Sequence, residues 1–149
     1  MKISKELKFG FLLFIAIGLY FLLMEGLGFS DLYYLRILNI FIIIYGLNKI
    51  IKSNLSEGKK SYLKNLFSSG LTGIIAISLS ILGLVIYLNF KDAAYIKNLS
   101  EAFLFGGNPS IAQYSFGLFI EGITSVLIVS FVNTQYWKTK NVFIDNVES

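Results

Sequence analysis

The chain has 149 residues, 55% of them hydrophobic and 15% charged, with a formal net charge of +4 and neither Cys nor His. A soluble domain carries about 25% charged residues, so the deficit is large. The missing residue types exclude disulfides, thiol catalysis, histidine-ligated haem and the usual zinc sites, and no cofactor or metal is expected. Lys residues flank the apolar runs, and no basic stretch is interleaved with aromatics, so no nucleic-acid partner is expected.

The apolar residues fall into runs long enough to cross a bilayer, which takes roughly 20 residues for a core about 30 Å thick. The first predicted helix covers residues 7–26. Lys2, Lys5 and Lys8 precede an uncharged run, as in a signal peptide, but Glu25-Gly26-Leu27-Gly28-Phe29 follows in place of a small-residue cleavage site. The run therefore reads as an uncleaved helix. The second predicted helix covers residues 32–51, contains Arg36, and follows so closely that the first two should form an antiparallel hairpin. A polar loop, residues 52–64, comes next, with Lys59-Lys60 and the turn-like Ser56-Glu57-Gly58. The third helix, 65–90, carries no charge and ends at Lys91-Asp92. Residues 91–108 contain apolar positions at helical spacing and read as a short helix lying in the interface, or as an ordinary polar connection. The fourth helix, 109–137, opens at Asn108-Pro109, where Asn can cap and Pro can fill the first turn, and it contains Glu121. Residues 138–149 form a polar tail. The expected fold is an all-α integral membrane protein: a four-helix up-down-up-down bundle with an interfacial helix before the last span.

Orientation follows from the basic residues near the helix ends. Lys2, Lys5, Lys8, Lys49, Lys52, Lys59, Lys60, Lys64, Lys138 and Lys140 fall on one side, against Arg36, Lys91 and Lys97 on the other. Both termini and the loop 52–64 are therefore expected in the cytoplasm, and the segment 91–108 in the periplasm. Tyr33 and Tyr34 would anchor the outer interface, Tyr136 and Trp137 the inner one. The near-exclusive use of Lys over Arg points to an AT-rich bacterial source, hence to the inner membrane.

Three ionisable residues interrupt the apolar runs: Glu25, Arg36 and Glu121. A charge in hydrocarbon costs at least about 2.5 kcal/mol, and such residues pair or face a cavity. All three come from the outer half of the bundle. They form either a polar site, as in a proton relay or small pocket, or a buried pair that fixes helix order while Glu25 and Arg36 snorkel. A second pattern is packing. Ser69, Gly73, Ala76, Ser80 and Gly83 recur along one face of the third helix, and Gly117, Glu121 and Ser125 share a face of the fourth. Small residues in such stripes let helices approach closely.

Some stretches resemble a known family. Leu7-Lys8-Phe9-Gly10, Gly58-Lys59-Lys60-Ser61-Tyr62 leading into Phe67-Ser68-Ser69-Gly70-Leu71-Thr72-Gly73, and Tyr87-Leu88-Asn89-Phe90-Lys91-Asp92 are similar to the small Bacteroidota membrane proteins grouped as domain of unknown function 4199. The resemblance implies an inner-membrane protein and supplies no activity. The expected function is that of a non-enzymatic subunit or structural partner of a membrane complex, embedded in the lipid bilayer with a membrane-protein partner or as a homo-oligomer. The alternative is a small proton-coupled transporter or channel using Glu25, Arg36 and Glu121.

Overall fold

A computed structural model describes residues 4–28, 37–92, 94–95 and 110–143. Among the described residues the main elements are four helices: α1 (Lys5–Gly26), α2 (Asn39–Ser56), α3 (Tyr62–Asn89) and α4 (Ile111–Thr139). Arg36, Tyr33, Tyr34, most of the segment 91–108 and the end of the tail lie outside the described residues.

Local chemistry sets the helix starts. Ser4, Ser61 and Ser110 each hold an extended backbone and turn the side-chain oxygen onto an amide of the first turn, satisfying a donor the helix cannot. At Ser110 the cap is reciprocal, because Gln113 reaches back to the Ser110 amide, a capping box. Helix α4 therefore begins at Ile111, two residues after the expected Pro109. Helix α3 begins at Tyr62, and α2 runs on to Ser56, past its expected end at residue 51. The reason for the last difference is amphipathicity. Ile50, Ile51 and Asn54 are buried while Lys49 and Lys52 face out, so the charges mark a solvated face and not an end. The loop expected over 52–64 shrinks to Glu57–Ser61, turning at Gly58 with φ +83°, a conformation glycine adopts without a Cβ penalty.

Among the described residues, three helices, α1, α3 and α4, are long and apolar enough to cross a membrane. Helix α2 is not, since Asn48, Lys49, Lys52, Ser53 and Asn54 crowd its second half. The distribution of polarity is inverted relative to a soluble protein. Phe67 (73% exposed), Phe116 (67%), Leu19 (63%) and Ile86 (62%) lie outside with many more large apolar residues, while Asn54, Asn65, Thr72, Ser130 and Thr134 are buried. An apolar exterior this extensive exceeds what monomeric soluble proteins tolerate and suits contact with a lipid bilayer.

The helix ends alternate. Lys5 and Glu6 at the start of α1 meet Asn54 and Glu57 at the end of α2 and Ser68 early in α3. Tyr62 at the start of α3 meets Gln135 near the end of α4. This end is called inner below, after the expected orientation. Midway along the bundle, Leu13, Ile43, Leu47, Ala76, Ile77, Val126 and Val129 form one apolar cluster drawn from all four helices. Leu88 and Tyr114 form a smaller one at the outer end.

Candidate functional site

Between the two clusters, in the outer half, lies a cavity of about 470 Å³ with walls from all four helices. Ile43 and Ile77 belong both to the cavity lining and to the middle cluster, so the apolar layer is its floor. Its sides are mostly apolar, and Asn39, Ser80, Tyr114, Glu121 and Ser125 add polar atoms. There is open space at Gly18 of α1, a lining residue where a Cβ would meet nothing within 4 Å, while Phe14 and Phe21 on either side of it reach α3 at Gly83 and Tyr87.

Glu25 and Glu121 part company, and Arg36 lies outside the described residues. Glu121 lines the cavity and, like Tyr20 and Tyr114, is engaged in an interaction of its own. Glu25 is not among the lining residues. It sits at the end of α1, where the Tyr95 hydroxyl donates to its Oε2 at 2.7 Å. Burial first, and this bond second, hold the Tyr95 hydroxyl above the ordinary tyrosine range, so it stays a donor. Tyr95 also packs edge-on to Tyr87, and Tyr87 to Phe21. Lys91 lies 5.0 Å from the ring centres of both Tyr87 and Tyr95, within cation–π range. Glu25 is thus tied to the connection after α3.

The small-residue stripe of α3 has two fates. Its inner part is packing: Ser69 and Ala76 are fully buried, and a Cβ on Gly73 would collide with the Val126 side chain of α4. Its outer part, Ser80 and Gly83, faces the cavity. On α4, Ser125 lines the cavity and donates to the Glu121 carbonyl at 2.9 Å, while Gly117 is half-buried. A second close approach of α3 and α4 uses Gly122, where a Cβ would stand 2.8 Å from Ile77 Cγ2. The sequence reading passed over Gly122 because it lies beside the Gly117–Glu121–Ser125 face rather than on it.

A polar network at the inner end also escaped the sequence reading. Lys5 Nζ donates to Asn54 Oδ1 at 3.0 Å, Asn54 Nδ2 to Ser68 Oγ at 3.0 Å, and Ser68 Oγ to Glu6 Oε1 at 2.8 Å. Asn65, wholly buried, donates from Nδ2 to the Lys59 and Ser61 carbonyls, both at 2.8 Å, and so pins the α2–α3 turn. Asn133 Nδ2 donates to the Ile44 carbonyl at 3.0 Å, joining α4 to α2. The signal in the sequence was asparagine: Asn54 shares a helical face with Ile50 and Ile51, and an amide on a buried face needs partners.

Lys5 and Lys59 both pair with Glu57, at 2.8 and 3.2 Å. The Lys5 contact first, then Lys59, holds the Glu57 carboxyl below its usual value. A lowered folded value means stability that is present above the ordinary Glu pKa of about 4.3 and lost as pH falls through the folded one. Melting temperature is therefore expected to drop on acidification below about pH 4.3, with a smaller drop for Glu57→Gln. Because Glu57 is exposed, the difference should be modest and shrink with salt.

The inner end also carries aromatic–lysine pairs: Lys49 over Tyr45 (5.3 Å), Lys138 over Tyr62 (5.4 Å) and Lys140 over Tyr136 (5.4 Å). Tyr136 is exposed and packs edge-on to Trp137, whose Nε1 donates to Asn48 Oδ1 at 2.6 Å. Trp137 thereby also ties α4 to α2.

With this geometry in hand, comparison with known proteins adds no relative: no family model, curated protein or solved structure matches the chain.

Proposed function

We propose that this chain is a non-enzymatic, multi-pass protein of the bacterial inner membrane, acting as a subunit or structural partner within a membrane complex. In this reading all four helices span the bilayer, both termini are cytoplasmic, and residues 91–108 form a periplasmic interfacial segment. The 18 residues of α2 rise about 27 Å, close to the hydrocarbon thickness; in its polar second half Asn54 is buried against α1 and α3, while Lys49 and Lys52 face out.

The observation that carries the proposal is the apolar layer between the cavity and the inner network. Leu47, Ala76 and Val126 are wholly buried in it, and an ion would need polar partners or water to cross such a layer. Among the described residues, this layer separates the cavity from the inner polar network. A second reading, proton-coupled transport at a contact between copies, is favoured by Glu121 at the cavity wall.

Mild-detergent isolation of the tagged protein from its native membrane, followed by native mass determination, separates the two. The subunit reading expects a reproducible heteromeric partner, and no proton or solute flux from the purified chain in proteoliposomes. Flux that scales with protein and is abolished by Glu121→Gln, in a variant that still inserts, would overturn it.

A further inference from the structure

We infer that the inner end of the seam between α2 and α4 binds the headgroup of an anionic phospholipid, with Lys52 and Lys140 holding its phosphate. The inference rests on the membrane placement proposed above and does not depend on which partner the chain has. Two helix edges build the seam. Phe41, Tyr45, Asn48 and Lys52 recur at steps of four, three and four along α2, and Asn133, Tyr136, Trp137 and Lys140 at steps of three, one and three along α4. Each set therefore shares one side of its helix. The edges are joined twice: Asn133 Nδ2 donates to the Ile44 carbonyl at 3.0 Å, and Trp137 Nε1 to Asn48 Oδ1 at 2.6 Å. Past the second bond each edge continues inward to an exposed lysine, Lys52 four residues after Asn48 and Lys140 three after Trp137. That is about one turn in both cases, so the two lysines flank the seam at a similar level.

Charge selects the ligand. Among the described residues the inner end carries nine lysines against two carboxylates, Glu6 and Glu57. Glu57 pairs with Lys5 and Lys59, and Glu6 accepts from Ser68, so both carboxylates are engaged at the start of α1 and the α2–α3 turn. Basic residues beside a membrane helix attract anionic lipids, and lysine holds a phosphate as a point charge. The apolar part of the seam makes that phosphate a lipid's. Outward of the lysines the edges stay exposed but turn aromatic, with Phe41 at 62%, Tyr45 at 65% and Tyr136 at 54%, a path for acyl chains below a headgroup. Lys49 lies 5.3 Å from the Tyr45 ring centre and Lys140 5.4 Å from that of Tyr136. A ring engages one side of an ammonium that has three donors, so phosphate and ring can be held together. The C-terminal dipoles of α2 and α4 disfavour an anion on the helix axes. The phosphate therefore sits beside the helices, against the lysines, and not over their ends.

The test compares phosphatidylglycerol with phosphatidylcholine of the same acyl chains. The full-length protein is placed in nanodiscs of phosphatidylcholine containing increasing phosphatidylglycerol, and the lipids it retains on release are counted by native mass spectrometry. A saturable phosphatidylglycerol adduct is expected, weakened by salt. A lysine beside an anionic surface is worth about fivefold in affinity. Lys52→Gln with Lys140→Gln should therefore weaken the adduct by about 25-fold, and Lys52→Arg with Lys140→Arg should keep it. Lys8→Gln with Lys64→Gln removes the same charge from exposed positions on α1 and α3 and should leave the adduct near its wild-type strength. Equal weakening by the two glutamine pairs would overturn the inference, because the preference would then belong to the whole basic end and not to the seam. A wild type that enters the nanodiscs and retains both lipids equally would overturn the inference alone. One that enters no nanodisc would overturn the membrane placement and the inference with it.

Discussion

Gly73→Ala is expected to destabilise the bundle by about 1–3 kcal/mol, the usual cost of forcing extra volume into a packed core, and Gly73→Val by more. The added Cβ would meet Val126 Cγ2 at 2.8 Å and Val126 Cβ at 3.1 Å. Valine has no flexible end to swing away, and Val126 is wholly enclosed, so relief must come from moving α3 away from α4. That motion would also disturb the contact of Gly122 with Ile77. The clash has a specific remedy. Val126→Ala removes the obstructing methyls, so the double variant should be more stable than the two single losses added together, with a coupling of about 0.5–3 kcal/mol. Gly26→Ala is the control: its Cβ meets nothing within 4 Å, and the change should be neutral or stabilising by up to about 1 kcal/mol from helix propensity. Denaturation by a graded detergent mixture would measure all five. A Gly73→Ala protein as stable as the wild type would show that α3 and α4 are not in this contact.

The second large effect is expected at Asn54. This residue, 3% exposed, joins three helices: its Oδ1 accepts from Lys5 of α1 and its Nδ2 donates to Ser68 of α3. Asn54→Leu keeps the bulk but strips Lys5 and Ser68 of a partner each. Lys5 keeps Glu57 and Ser68 keeps Glu6, so the loss is one charge-assisted and one neutral hydrogen bond, on the order of 2–4 kcal/mol together. Asn54→Asp is the sharper probe. It preserves the acceptor for Lys5 but removes the donor to Ser68, whose single hydroxyl hydrogen already goes to Glu6. The aspartate variant should therefore recover only part of the loss, and recover more when combined with Glu6→Gln. Thermal unfolding of the purified variants reads this directly; an Asn54→Leu protein of unchanged stability would remove the network from the account.

Hydropathy made the helices and their order legible, because long uncharged runs such as 65–90 admit few other structures in a membrane. It misplaced the end of α2, because a search for apolar runs stops at Lys49 and Lys52 although those residues occupy the outward face of a helix that continues. The cavity was half legible. Glu121, Ser80 and Gly83 were singled out by their faces, but a pattern of small residues does not say whether each meets a tightly packed helix, as Gly73 does, a ring at ordinary contact distance, as Gly83 does, or empty space, as Gly18 does. That depends on the distance between axes, which Val126 and Leu13 set from other helices. The inner network was illegible for another reason. Lys5, Glu6 and Glu57 sit at helix ends where charges are ordinary, and only the fold brings Asn54 and Ser68 between them. Glu25 is a similar case, since its partner Tyr95 lies far along the chain.

The most direct test of the central claim, a chain whose four helices all cross the membrane, bears on α2, the least apolar of them. Leu27, exposed at the end of α1, and Ser56, exposed at the end of α2, flank it, and the chain has no native cysteine. Leu27→Cys and Ser56→Cys would be treated with a membrane-impermeant thiol reagent in cells with a leaky outer membrane, before and after the inner membrane is opened. Labelling of Leu27→Cys in closed cells, and of Ser56→Cys only after opening, is the expected result. Labelling of both from the same side would mean that α2 does not cross, and labelling in the reverse order would overturn the orientation.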